Sequence, residues 1–169
     1  RYYGYCVWRY EVIASYLNSL PENSILHYCD IGCHFNKNGI ERLKDYILMT
    51  KKNNMTVFEY GEPPYEIKKF NYHFQKYMEY EFTKGDIIKY FGLNFDSKII
   101  NSPQIWVGTF FMKKCDFVFK FLQDWEKANK HDELMDDSKS KSENHEKFSG
   151  PRGDQSVFSI ICKQNKVHS

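Results

Sequence analysis

The stretch Ser24-Ile25-Leu26-His27-Tyr28-Cys29-Asp30-Ile31-Gly32-Cys33-His34 runs from an apolar segment onto a carboxylate, with a glycine two residues further on. Ile25, Leu26 and Tyr28 form a short continuous run bounded by Pro21-Glu22-Asn23 and Gly32, which predicts a buried strand over Ser24 to Cys29. Asp30 then stands at the carboxyl end of that strand. In open α/β sheets ligands gather beyond those ends, so a carboxylate there is placed to meet a metal or a sugar hydroxyl. Asp is also favoured in turns, and a turn residue before Gly32 fits this stretch equally well.

The segments on either side give the strand its context. Val12, Ile13, Tyr16, Leu17 and Leu20 recur at helical spacing within Trp8 to Leu20, which Pro21 stops. After the Asn38-Gly39 turn, Ile40, Leu43, Ile47 and Leu48 mark a second helix, and Met55 to Tyr60 reads as a second strand. Helix, strand, helix, strand predicts an α/β domain with a mostly parallel sheet. Gly61 to Pro64 reads as a turn, and the aromatic, basic segment Tyr65 to Tyr80 has no clear period.

Further along, Thr83 to Phe91 predicts a short helix with Thr83 as N-cap and Gly92 as its stop. Gln104 to Met112 is β-branched and aromatic, the composition of a central strand, and its Gly108 marks a close approach by backbone or ligand. Phe117, Phe121, Leu122 and Trp125 predict an amphipathic helix over Asp116 to Ala128. Residues 129–150 turn polar and predict a flexible loop, long enough that function or disorder has to explain it. A last helix, Asp154 to Lys163, opens on Asp154 as N-cap.

Composition narrows the classes. At 169 residues, 41% apolar and 18% aromatic, the chain has material for one domain with a real core. A net charge of +2 excludes a nucleic-acid footprint built on bulk charge. Five cysteines at irregular spacing predict free thiols and a reducing compartment. No apolar run reaches the roughly 18 residues a membrane span needs. The chain opens on Arg-Tyr-Tyr-Gly-Tyr without an initiator Met, from which an upstream portion is expected.

Five motifs in order then carry a resemblance: Gly4-Tyr5-Cys6-Val7-Trp8-Arg9-Tyr10, Ile25 to Cys33, Thr83-Lys84-Gly85-Asp86, Gln104 to Gly108, and Arg152-Gly153-Asp154-Gln155-Ser156. Together they resemble a family of bacterial glycosyltransferase-like proteins of the GT-A type, found among capsule and lipopolysaccharide gene products. The resemblance implies a GT-A-like, Rossmann-like three-layer α/β/α domain that lacks its N-terminal strand-helix unit and spans residues 1–169, the C-terminal two-thirds of a longer protein. It also implies a hexosyltransferase-type enzyme, moving a sugar from a nucleotide-sugar donor to a glycan or lipid-linked acceptor. Such a protein would be cytoplasmic, or peripheral at the inner face of the membrane. The alternative is a non-catalytic glycan-binding or assembly module on a degenerate transferase fold.

Residue by residue, the resemblance makes Asp154 and Asp30 catalytic. It gives Arg9, Asp30, Gly32, Gly108 and Gln104 to the donor, Trp106, Gln155 and Arg152 to the acceptor, and Asp30 to a divalent cation, Mn²⁺ or Mg²⁺. The chain departs from the family's pattern in three places. Asp30-Ile31-Gly32 lacks the second carboxylate of an Asp-x-Asp element, Arg9-Tyr10 stands for Lys-Pro, and Pro151 and Gly153 stand where histidines flank the arginine. Structural readings stay open beside these roles: a helix cap for Asp154, a solvated helix face for Arg9, a core aromatic for Trp106, packing for Gly108, and a satisfied buried amide for Gln104.

Two sharper motifs fall away. Cys29, Cys33 and His34 do not have zinc-knuckle spacing and no second cysteine pair follows. Arg152-Gly153-Asp154 is an integrin tripeptide of a length that arises by chance.

Overall fold

The computed structural model describes residues 5–61 and 76–167. Of the turn expected at Gly61 to Pro64 and the unassigned Tyr65 to Tyr80, residues 62–75 lie outside them, and Glu79 and Tyr80 open a short helix. In chain order the elements are α1 (Arg9–Ser19), β1 (Ile25–Cys29), a 3-10 turn (Lys37–Gly39) leading into α2 (Ile40–Asn53), β2 (Met55–Glu59), the short helices α3 (Glu79–Phe82) and α4 (Gly85–Tyr90), β3 (Ile105–Lys113), α5 (Asp116–Asn129), α6 (Asp132–Met135) and α7 (Gly153–Gln164).

The sheet corrects the expected architecture. It has three strands in the order β1-β3-β2, and β3 runs antiparallel to both neighbours, from Ile25↔Lys113 to Cys29↔Thr109 on one side and from Met55↔Met112 to Glu59↔Ile105 on the other. This is not a mostly parallel GT-A sheet. β1, α2 and β2 do form a crossover with parallel strands, but it leaves a slot one strand wide, and β3 fills it in the opposite direction. An apolar run buried on both faces has the same pattern whichever way it points, so the sequence located a central strand without fixing its direction.

Helices cover both faces. On one side Phe110 stacks on Phe158 of α7 at 4.8 Å and meets Trp125 of α5, with Ile13 and Leu17 of α1 closing the core. Burying Phe110, Phe121 and Phe158 stabilises the fold by about 1.5–3 kcal/mol each. On the other side Tyr46 of α2 packs against Phe58 and Phe111. The register of β2 against β3 slips between Thr56 and Phe58, a bulge that lets Ile105 and Val107 share the core face with Phe110 and Met112.

Two helix starts differ from expectation. Lys84, not Thr83, is the N-cap of α4, because the Thr83 hydroxyl donates to Glu79 instead (2.8 Å). Arg152, not Asp154, is the N-cap of α7, so Asp154 sits inside the helix and its carboxylate is directed elsewhere. Gly92 does stop α4, at φ +65°, a conformation that suits glycine.

The polar segment expected to be a flexible loop is fastened along its length by the Thr83-Lys84-Gly85-Asp86 motif. The Lys84 side chain is 1% exposed and donates from Nζ to the carbonyl of Glu133 (2.6 Å). The Gly85 N–H donates to the Asn144 side chain (2.7 Å), and Asp86 accepts from the N–H groups of Lys141 (3.0 Å) and Ser142 (2.8 Å). Burial alone would raise the Asp86 carboxyl, but these bonds outweigh it and hold the group below its usual range. The segment then closes on α3, with Ser149 N–H to Glu81 and Arg152 N–H to Phe82.

Candidate functional site

The carboxyl ends of the parallel strands β1 and β2, the start of β3 and the N-terminus of α7 all lie at one end of the sheet. Asp30 follows β1 there and Tyr60 follows β2. Arg9, the first residue of α1, reaches Asp30. Its guanidinium bonds the Asp154 carboxylate through Nη1, Asp30 Oδ1 through Nη2 (3.3 Å) and the Tyr28 hydroxyl through Nε (2.9 Å). Tyr28 passes the chain on by donating to Asp30 Oδ1 (2.7 Å). Asp30 and Asp154, far apart in sequence, therefore meet on one cation.

Their environments separate them. The Asp154 side chain is 7% exposed and accepts from the Trp125 indole N–H (3.2 Å) as well as from Arg9. Burial pushes its carboxyl up to about 7, against the pull of Arg9 and the indole. The Asp30 side chain is 40% exposed, the one carboxylate of the pair that a ligand can reach. Burial, with the bond given to Asp30, pushes the Tyr28 hydroxyl to about 12, so it stays a donor at any physiological pH. Arg9 is buried, which rules out the solvated helix face.

The Asp154-Gln155-Ser156 run, expected to face a ligand, docks α7 onto the sheet. Gln155 accepts from Val107 N–H (3.1 Å) and donates to the Ile105 carbonyl, replacing the strand that β3 lacks beyond the end of β1. Ser156 accepts from Gln104 (2.9 Å) and donates to Phe82 (3.1 Å). The Ile105 N–H goes to Ser159 (2.7 Å). Gln104, expected at the donor, has a fully buried amide on Glu79 (3.1 Å) and Ser156, on the core side of β3. Glu79 itself is sealed, paired with Lys163 (2.7 Å) and Thr83.

What remains open at the strand ends is Asp30, Tyr60, Trp106 and Arg152. The Arg152 guanidinium lies over the rings of Tyr77 (4.3 Å) and Phe82 (4.7 Å), a stacked cation with no carboxylate partner among the described residues. Tyr60 feels the charges of both Arg152 and Asp30, and burial raises its hydroxyl. Gly108 has the Trp106 indole lying against it, so the close approach its sequence signalled comes from a side chain of the same strand. Trp106 and Gly32 line a pocket of about 770 Å³ on the opposite face of the sheet, against α2, which neither Asp30 nor Asp154 borders.

The residues do not by themselves fit a divalent cation. Among the described residues no three His, Cys, Asp or Glu side chains converge, and Arg9 already occupies the space between the two carboxylates. Asp30 supplies one reachable carboxylate.

Sequence reasoning missed Tyr28, Trp125, Lys84 and the pocket. Tyr28 was within reach, since residues two apart on a strand share a face with each other and hence with Asp30. Trp125 read as core and gave no separate sign of its N–H. Comparison with protein-family models, with curated proteins and with solved structures returned no match. Among the described residues no helix is long and apolar enough to cross a membrane.

Proposed function

We propose that this chain is a hexosyltransferase acting on a diphosphate-linked sugar, as in surface polysaccharide synthesis, with its site at the strand ends around Asp30. The observation that carries the reading is the meeting of Asp30 and Asp154 on Arg9 beside the stacked cation Arg152. In this reading Arg152 takes the diphosphate, for which a planar guanidinium is suited, and Trp106 and Tyr60 form apolar walls for the sugar. Asp30 accepts the proton of the acceptor hydroxyl as its oxygen bonds the sugar carbon, while the bond from that carbon to the diphosphate breaks and its electron pair leaves with the phosphate. Arg9 and Tyr28 fix the orientation of Asp30, and Asp154 fixes Arg9, so Asp154 acts as a positioning residue. Catalysis of this kind rests on placement and on stabilising the departing charge.

Binding of nucleoside diphosphates and nucleotide sugars by calorimetry, with and without Mn²⁺, tests the reading. Arg152→Met weakens donor binding tenfold or more, whereas Asp30→Asn leaves donor affinity within about threefold and lowers turnover roughly 10²–10⁴-fold. No binding of any nucleoside diphosphate refutes both roles. A second reading, a non-catalytic glycan- or nucleotide-binding module, is favoured by the commitment of Asp154 and Gln155 to internal partners. Donor binding without turnover selects it.

A further inference from the structure

The pocket on the α2 face of the sheet shares Trp106 with the site described above but none of its charged groups, and it has a defined chemical character of its own. Its floor is the outer face of the strands, with His27 stacked on Phe111 at 4.0 Å and Phe58 beside them. One wall is α2, presenting Ile40, Leu43 and Tyr46, and the other is the loop from Cys29 to Lys37. Burial holds the His27 ring below its ordinary range, so the floor is neutral. The charged side chains at its rim are Lys37 and Arg42, and among the described residues no carboxylate lines it. Arg42 bonds the Tyr46 hydroxyl (3.3 Å) and meets Asp45 on its outer side at 3.6 Å.

The mouth is unusual as well. Phe35 is 70% exposed and Ile40 is 54% exposed, both lining the pocket, and Ile31, next in the chain to the lining residue Gly32, is fully exposed. Isolated apolar residues on a surface need no explanation, but two that line an apolar pocket, with a third one residue along the chain from its lining, call for one. At one end the pocket reaches Trp106, whose ring is 6.3 Å from that of Tyr60 at the strand ends. A volume of about 770 Å³ lies in the range that encloses a ligand of drug size.

We infer that this pocket holds the apolar chain of a lipid phosphate, with Lys37 and Arg42 meeting the phosphate at the rim and Ile31 and Phe35 resting on the lipid surface from which it comes. The commitment follows from charge complementarity: an apolar interior with Lys37 and Arg42 at its rim and no lining carboxylate among the described residues selects an amphiphile with an anionic head over a neutral hydrophobe or a bare anion. The inference rests on the transferase reading and deepens it, because the lipid-linked acceptor then approaches through the α2 face and meets the donor past Trp106.

The test uses the whole chain with its three tryptophans labelled with fluorine, titrated with farnesyl phosphate below its micelle concentration. Trp106 lines the pocket, Trp8 is on the surface and Trp125 is in the core, so the three resonances report separate places. The expected result is a saturable shift of the Trp106 resonance alone. Farnesol and inorganic phosphate each bind at least tenfold more weakly, the Lys37→Glu/Arg42→Glu variant loses at least tenfold in affinity, and Asp30→Asn changes nothing. The double variant alters exposed side chains, and Ile31→Ser, a fully exposed position that does not line the pocket, provides a second variant that weakens binding to phosphatidylglycerol vesicles without moving the farnesyl phosphate titration. Farnesol binding as tightly as its phosphate, a shift confined to Trp8, or no saturable shift because the chain's own residues fill the pocket overturns the inference. Since nucleoside diphosphate binding is measured separately in the same preparation, failure here is distinguishable from failure of the transferase reading.

Discussion

Replacing Arg9 by Met keeps most of the stem's volume and removes a guanidinium that serves three partners at once. Asp154 is then left buried with the Trp125 indole N–H as its remaining side-chain donor. Removing one partner of a buried ion pair costs about 3–5 kcal/mol when the other must stay charged. Asp154 has an escape, which is to bind a proton, and its carboxyl already titrates at about 7 against an ordinary 3.8. Because the folded value lies above the unfolded one, the proton is held more tightly in the folded state, and stability falls as pH rises from about 4 to about 7. That decline is common to wild type and variant. Without the pull of Arg9 the folded value rises further, so above pH 7 the variant goes on losing about 1.4 kcal/mol per pH unit while the wild type levels off. The loss from Arg9→Met is therefore about 1–2 kcal/mol at pH 5.5, where lost hydrogen bonds dominate. At pH 8.5 it grows to about 3–4 kcal/mol, within the range for an unpaired buried charge. Urea unfolding at both pH values, at equal m-value, measures it. An equal loss at the two pH values, or a pH-dependent part that survives adding Asp154→Asn, would refute the assignment of Asp154 as the responsive group.

Other substitutions probe the remaining supports. Gly85→Ala puts a Cβ on the Glu143 carbonyl, so the 140–146 segment has to move; a loss of about 1–3 kcal/mol and faster amide exchange at Lys141 and Ser142 are expected, and unchanged exchange there contradicts the fastening. Gly108→Ala meets the side chain of Trp106 rather than backbone, so stability falls by less than about 1.5 kcal/mol while the Trp106 environment changes, which its fluorescence or fluorine shift reads. Lys163→Met leaves the fully buried Glu79 without its cation and costs about 3–5 kcal/mol by urea unfolding, and a loss under 1 kcal/mol would show that its hydroxyl and amide donors suffice.

Most elements could be located from sequence because each has one apolar face. α1, α2 and α5 follow the periodicity of Ile13 and Leu17, of Leu43, and of Phe121 and Trp125, to within a few residues. What could not be read was the direction of β3, since pairing is decided by Ile25 to Cys29 and Met55 to Glu59, some 50 to 85 residues upstream, and not by its own pattern. Charged residues misled in a different way. Glu79, Lys84 and Lys163 look solvated in a sequence, yet each is buried or nearly so, paired with groups that only the folded chain brings near. Asp154 and Gln155 show the limit at the candidate site. Their motif marks a place where polar side chains are needed, and the need met by Gln155 is the unpaired edge of β3.

The slot between β1 and β2 has a consequence for how the chain acquires its structure. Neither outer strand can pair with the other, so both wait for β3, whose last residue emerges from the ribosome about 50 residues after the end of β2. At roughly 5–20 residues per second this leaves two apolar strands without partners for about 3–10 s during synthesis. Pairings of such long sequence separation also make closure slow in a refolding experiment. The nascent chain is therefore most prone to aggregate between the completion of β2 and the arrival of Lys113, and a substitution that weakens β3 lowers the yield of folded protein by more than its effect on final stability.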